Sequence, residues 1–378
     1  MGSLTDEQRH GAALAALGAS PGTLRKFLDG YGAAEAWEAI ARGRHRADPD
    51  RRYRDKAVPR TLDAVVDACK QSGVSVTLRG CPGYPPALAG DRQAPAVLFS
   101  TGDVTVMEGR PRVAVVGTRS ATPYGLGMAS ELGRGLARAG VVVVSGVALG
   151  IDAAAHAGVL GVDGGAAPVG VLGTAHDDAA ATRSQMVLRA AVGVHGALLS
   201  EIPPGVHSAR WWFAVRSRVI AALAHVVVVV ECHHRGGSLH TVAAAVTRGV
   251  TVTAVPGSVR SPASAGTNRL LVEGAVPVRD IDDVLTAVEL AVVARPDIAA
   301  PCRHHDRGGP ARPGRRERPA LGPVPSRVQR ALDHDPATLE AVVRRSGLPL
   351  GEVSLALEQL AEAGLAVGTQ GWWSRPDR

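Results

Sequence analysis

The sequence predicts a doubly wound α/β domain with a parallel sheet, set between a small N-terminal helical domain and a C-terminal winged-helix-like domain. Three observations predict it. Short runs rich in β-branched residues recur at 74–78, 112–116, 141–145, 169–172, 197–200, 226–230 and 251–255. The last six are each separated by an Ala-rich stretch long enough for a helical crossover. The runs read as continuously apolar rather than alternating, which marks strands covered by helices on both faces.

Residues 1–74 read as short helices. Thr5 is placed to cap the first, with Asp6 and Glu7 in its opening turn. Leu14, Leu17, Leu24, Phe27, Leu28 and Trp37 fall at helical spacings, interrupted by Gly18, Pro21 and Gly30. This is the pattern of a helical cap. Residues 75–292 form the Rossmann-like domain. Residues 293–325, rich in Pro and Arg and without apolar periodicity, read as a linker. Cys302, His304 and His305 lie in it without a second ligand pair, so no metal is expected there. Residues 326–378 read as three helices and a hairpin, the winged-helix order. The third helix carries Glu352, Glu358 and Glu362 and no Lys or Arg, which argues against its binding in a major groove.

Hydrophobic residues make up 46% of the chain and aromatics 3%, so the core must be built from small aliphatic contacts. Lys and Arg outnumber Asp and Glu by 42 to 35, a formal charge of +7 that suits a polyanionic partner. The four cysteines form no C-x-x-C pair, and no basic stretch followed by an apolar run opens the chain. The apolar runs are too short to cross a bilayer. A reduced, cytoplasmic setting without membrane attachment is expected.

Two strand-end turns carry the chemistry. In the first, Val115-Val116-Gly117-Thr118-Arg119-Ser120-Ala121-Thr122 leads a buried strand into a helix. Backbone N–H groups at that helix start, with the Thr118, Ser120 and Thr122 hydroxyls, make an anion site, and Arg119 adds a forked cation. The spacing is not that of a dinucleotide fingerprint. In the second, Val144-Ser145-Gly146-Val147-Ala148-Leu149-Gly150-Ile151-Asp152 opens another helix, with His156 one turn after Asp152. An Asp–His pair at this spacing is a structural hydrogen bond more often than a catalytic dyad.

Taken in order with Leu172-Gly173-Thr174, Leu199-Ser200-Glu201, Gly237-Ser238-Leu239 with Thr241, Val255-Pro256-Gly257 and Gly266-Thr267-Asn268-Arg269-Leu270, these blocks resemble the DNA-processing protein A (DprA/Smf) family. The resemblance covers about residues 78–285. It implies a single-stranded-DNA-binding protein, homodimeric through the Rossmann-like domain, that protects incoming DNA and loads the RecA recombinase during natural transformation. It implies no enzymatic activity, catalytic residue, cofactor or metal. Successive turns at the C-terminal edge of the sheet would form one crevice. Gly117, Thr118, Arg119, Ser145 and Gly146 are expected to line it. Arg216 and Arg218 follow from a block resembling the family's arginine pair, and Arg235, Ser238 and Thr241 from the later turn.

The chain departs from the family pattern in places. Ala214 and Ser217 stand where Pro and Asn are usual. The loop 173–183 brings Asp177 and Asp178 toward the expected crevice, where like charge would weaken polyanion binding. Trp211, Trp212 and Phe213 are placed either to stack bases or to fill core. Two alternatives stay open: a Rossmann-like nucleotide-processing hydrolase, disfavoured by Pro256-Gly257-Ser258 in place of a Gly-rich phosphate turn, and a degenerate scaffold that does not bind DNA.

Overall fold

The structure, a computed structural model, describes residues 4–209, 211–294, 322–332, 337–363, 365–369 and 372–374. The chain divides into two compact units, Met1–Arg303 and His304–Arg378.

The first unit opens with α1 (Asp6–Ala16), α2 (Pro21–Phe27), α3 (Ala33–Ala41) and α4 (Pro59–Gln71). Thr5 closes a capping box on α1, its hydroxyl accepting from the Gln8 N–H while the Gln8 side chain accepts from the Thr5 N–H. The buried faces of these helices, including Leu14, Phe27, Trp37 and Val65, share one apolar core with Val76, Leu78, Val97 and Phe99. The last four belong to β1 (Ser75–Leu78) and β2 (Val97–Gly102), which flank the short α5 (Pro86–Ala89). The helical segment is therefore a cap on one end of the sheet.

The rest of the unit alternates strand and helix. In order come β3 (Arg112–Val116), α6 (Pro123–Arg138), β4 (Val142–Ser145), α7 (Ile151–Leu160), β5 (Val169–Val171), α8 (Arg183–His195), β6 (Ala197–Ser200) and α9 (Trp212–Leu223). Then follow β7 (Val226–Val229), α10 (Leu239–Thr247), β8 (Thr251–Ala254), α11 (Ala265–Val272), β9 (Val276–Pro277) and α12 (Ile281–Ala294). The nine strands lie in the order β1-β2-β6-β5-β4-β3-β7-β8-β9. From β6 to β9 every pairing is parallel. β1 and β2 extend this sheet antiparallel. They add an antiparallel edge to the expected parallel sheet. The run 74–78 in fact alternates apolar and polar, and Val76 and Leu78 are buried while Ser75 is exposed, as suits an antiparallel edge strand.

The parallel strands are apolar throughout because both faces are covered. Val113 and Val115 of β3 join the core under α6, α7 and α12, whereas Ala114 and Val116 join that under α9 and α10. Arg112 is the exception. Its guanidinium is fully buried and donates to the carbonyls of Leu223 (2.7 Å), Met107 (3.0 Å) and Arg110 (2.9 Å). Burial pushes it down to about 10, still a cation at neutral pH, tying the start of β3 to the end of α9.

The second unit contains α13 (Pro323–Ala331), β10 (Ala337–Thr338), α14 (Leu339–Ser346), α15 (Leu350–Glu362), β11 (Val367–Thr369) and β12 (Trp372–Ser374). The three strands pair antiparallel as β10-β12-β11, and the helices bury Val328, Val342, Val353, Leu357 and Leu360 against one another. This is the three-helix-plus-wing arrangement, with Glu352 and Glu358 exposed on α15. Most of the expected linker, with Cys302, His304 and His305, lies outside the described residues. At its ends α12 runs on to Ala294 and α13 begins at Pro323. Among the described residues no helix is long and apolar enough to cross a membrane.

Candidate nucleic-acid interface

The strand order reverses at β3, which lies between β4 and β7. Such a switch point leaves a crevice at the C-terminal ends of the strands, because the connections leave in opposite directions. A cavity of about 420 Å³ occupies it. Its walls come from the turn after β3, the first turn of α7, the start of α9 and the turn into α10. Gly117, Thr118, Arg119, Arg216, Ser238 and Thr241 all line it, together with Asp152, Phe213 and His240, which the expected set lacked.

Local structure explains the placement. Gly117 must lack a side chain, since a Cβ there would meet Ile151 Cγ1 at 2.5 Å and the Glu231 carbonyl oxygen at 2.8 Å. The Thr118 N–H donates to that same carbonyl at 2.8 Å, holding the turn after β3 to the end of β7. Arg119 is exposed, with its guanidinium carbon 4.8 Å from the centre of the Phe213 ring. That face contact steadies the cation and leaves its donors for a ligand. Arg216 lies deeper. Its Nη1 donates to the Gly146 carbonyl at 2.7 Å, while Nε has no partner. Burial pushes the guanidinium down from its ordinary value and the charge of Asp152 opposes the fall. The Asp152 carboxyl is pushed up by burial, against Arg216 and the backbone donors around it. The start of α10 also faces the cavity, with no acidic residue in its first turn, so its positive end is not neutralised by its own side chains. Val147, just beyond β4, is a buried β-branched residue at φ 53°, a left-handed conformation that costs about 1–3 kcal/mol and is held only by its surroundings.

Four expected contacts are placed otherwise. Ser145 is fully buried and its hydroxyl donates to the Val115 carbonyl at 2.6 Å, so it braces β4 against β3 instead of facing a ligand. Gly146 is buried as well, and its carbonyl is the anchor of Arg216. Arg218 does not line the cavity. It is ion-paired with Glu201 and donates to the Gln93 carbonyl. Arg235 is exposed on the turn between β7 and α10, outside the cavity wall. Asp177 and Asp178 also lie outside the wall: Asp177 accepts the Gly205 N–H at 2.8 Å, and Asp178 sits 3.9 Å from Arg189.

The anion site expected at the start of α6 is filled from within. Glu231, 1% exposed, accepts the Thr122 N–H at 2.9 Å and the Thr122 hydroxyl at 2.6 Å. Thr122 in turn caps α6 through the Gly125 N–H at 3.2 Å. The signal for this was an acid directly after the all-Val run 226–230. The aromatic cluster divides. Trp211 and Trp212 stack on each other with ring centroids 4.3 Å apart, and Trp211 is 45% exposed. Phe213 serves Arg119.

The Asp152–His156 pair makes no hydrogen bond. His156 is fully buried and neither ring nitrogen meets a partner in hydrogen-bonding geometry. Burial pushes the imidazole down to about 4, the Ser145 backbone resisting only in part. The neutral ring therefore favours the folded state above the unfolded value of about 6.5. As pH falls from there toward 4 the unfolded chain binds the proton and the folded chain does not, so stability declines by up to about 1.4 kcal/mol per pH unit. The raised Asp152 carboxyl acts in the opposite sense. Urea midpoints of wild type and His156→Leu across this window isolate the histidine: the variant should lose the acid-dependent decline that His156 adds, and parallel curves would contradict it.

Residues 75–289 match the family described as DNA recombination-mediator protein A, and residues 312–365 match the DprA winged helix domain. A putative DNA processing protein DprA from Mycobacterium tuberculosis is 40% identical over 287 residues, 74% of this chain and 68% of its own. The X-ray structure of DNA processing protein A from Streptococcus pneumoniae superposes with a TM-score of 0.64 at 30% identity, over 75% of this chain and 98% of its own. DNA processing protein A from Helicobacter pylori, whose structure describes a single-stranded DNA binding mode, gives a TM-score of 0.51 at 26% identity, over 57% and 96% of the two chains. With both domains matched in order on the fold described above, the chain belongs to the DNA recombination-mediator protein A family.

Proposed function

We propose that this chain binds single-stranded DNA in the crevice between the β3 and β7 turns, as a non-enzymatic DNA-processing protein of the cytoplasm. The observation that carries the reading is the convergence of Arg119, Arg216 and the α10 N-terminus on one cavity whose only lining acid among the described residues, Asp152, faces Arg216. A phosphate entering there meets a forked cation at the rim, a second in the wall and a helix dipole. Trp211, stacked and half exposed, offers a face for a base beside it. The Helicobacter pylori relative, described by its single-stranded DNA binding mode, supports the same ligand here. Phosphate contacts without groove readout imply little sequence preference.

The family's setting extends the proposal to DNA uptake in natural transformation, with the bound strand handed to RecA and the working unit a homodimer. Light scattering of the purified chain tests the dimer, and RecA filament growth on protein-coated strands tests the hand-over. Oligo-dT and a duplex of equal length, compared by fluorescence anisotropy, test the ligand. Preference for the single strand is expected. Equal affinity for both would overturn it, and turnover of free nucleotides without strand binding would favour the hydrolase reading.

A further inference from the structure

A second hollow, of about 720 Å³, opens between α2, the turn into α3 and the loops after β1 and α5. Four cations line it: Arg25, Lys26, Arg79 and Arg92. Two acids line it as well, and both are already held. Glu7 accepts the Ala33 N–H at 2.7 Å, and Asp29 pairs with Arg46 at 3.1 Å.

The cations lack such partners. Among the described residues Arg25 reaches only the Gln93 carbonyl, at 3.3 Å, and Arg79 only that of Ala89, at 3.0 Å. Among the described residues no hydrogen bond or ion pair holds Lys26 or Arg92. The carboxylates whose field reaches Arg25, Glu201 and Asp91, are themselves bound by Arg218 and Arg248. Burial, and then the neighbouring charge of Arg218, push the Arg25 guanidinium down from its ordinary value. Four cations against two acids, one of them paired with Arg46, leave an excess of positive charge round the hollow, the electrostatic mark of an anion site. Leu28 and Leu78, with the half-buried Tyr31, give the same hollow apolar surface. Cations beside apolar and aromatic surface match a nucleotide chain better than a free inorganic ion. One helix links the surroundings of the hollow to the crevice. α9 carries Arg216 into the crevice wall and, two residues on, Arg218, whose Gln93 acceptor is the one Arg25 uses.

We propose that this basic cleft on the helical cap is a second contact for the phosphates of the strand held in the crevice. The proposal rests on the single-stranded-DNA reading above. A short strand fills the crevice alone, and a longer one is held at both places.

Cys81 lines the cleft and is exposed, whereas Cys69 and Cys232 are buried, so in a Cys302→Ser background maleimide alkylation reports on the cleft. An oligo-dT of about 25 nucleotides should slow that alkylation several-fold, and one of about 6 should not. Lys26→Ala with Arg92→Ala should abolish the protection and weaken long-strand binding about tenfold. The salt slope should fall by about 1.4, at about 0.7 per phosphate, with short-strand affinity unchanged. If long strands bind, Arg119→Ala weakens them, and neither Cys81 nor the double variant responds, the cleft proposal falls and the crevice reading stands. If no strand binds, both fall. Protection of Cys81 by pyrophosphate but not by DNA would also overturn the proposal.

Discussion

Gly133→Ala and Gly158→Ala should each destabilise the first unit by about 3 kcal/mol, and the double variant should fail to fold. The two glycines form a reciprocal contact between α6 and α7. A Cβ on Gly133 would fall on the Ala155 carbonyl oxygen, and one on Gly158 on that of Ser130, both far inside van der Waals contact. Backbone cannot swing aside as a side chain does, so the helices must separate. Helix propensity acts in the other direction, favouring Ala by about 1 kcal/mol, and the steric cost outweighs it. The consequence reaches function because α6 follows the Arg119 turn and α7 presents Asp152. Urea midpoints measure the effect. A rise in stability in either single variant would show that propensity decides and that the helices tolerate a wider spacing.

Glu231→Ala should cost about 3 kcal/mol and lower DNA affinity more than tenfold, although it removes a negative charge near a polyanion site. Simple electrostatics predict tighter binding once a carboxylate is gone. The carboxylate, however, is the internal anion of the α6 start. Without it the Thr122 N–H and hydroxyl lose their acceptors, and an unpaired buried donor costs about 1–3 kcal/mol. The turn carrying Arg119 is then held by backbone alone, through the Thr118 N–H to the Glu231 carbonyl and the Ile151 N–H to the Thr118 carbonyl. Glu231→Gln keeps the shape and one acceptor and should fall between wild type and Ala. Tighter binding by Glu231→Ala in folded protein would mean that charge, and not the placement of Arg119, controls affinity.

The sequence showed the parallel sheet because strands buried on both faces leave unbroken Val runs, as at 112–116 and 226–230. β2 is not among the expected runs, although Val97, Leu98 and Phe99 are buried. Its pairing to β1 and β6 depends on residues far away in the chain. β9, at two residues, gives no pattern at all. In the crevice, Gly117 and Arg119 were legible because the strand–Gly–helix turn is local. That Ser145 and Arg218 turn away from the crevice is not legible for one reason: a hydroxyl or guanidinium near the right turn in sequence says nothing about which way it points. Val115 and Glu201 take those donors, and only the packing of β4 on β3 and of α9 over the sheet decides it. Glu231 is not legible as a site residue in sequence, because its partner Thr122 lies far away in the chain, and packing alone places it as the acceptor at the start of α6.

The most direct test is the anisotropy of a labelled oligo-dT at two salt concentrations with wild type and Arg119→Ala. Wild type should bind with strong salt dependence. Arg119→Ala should bind more weakly, its salt slope reduced by about 0.7, with its urea midpoint unchanged. Absence of binding by folded wild type, or equal binding by Arg119→Ala, would contradict the placement of the strand in the crevice between β3 and β7.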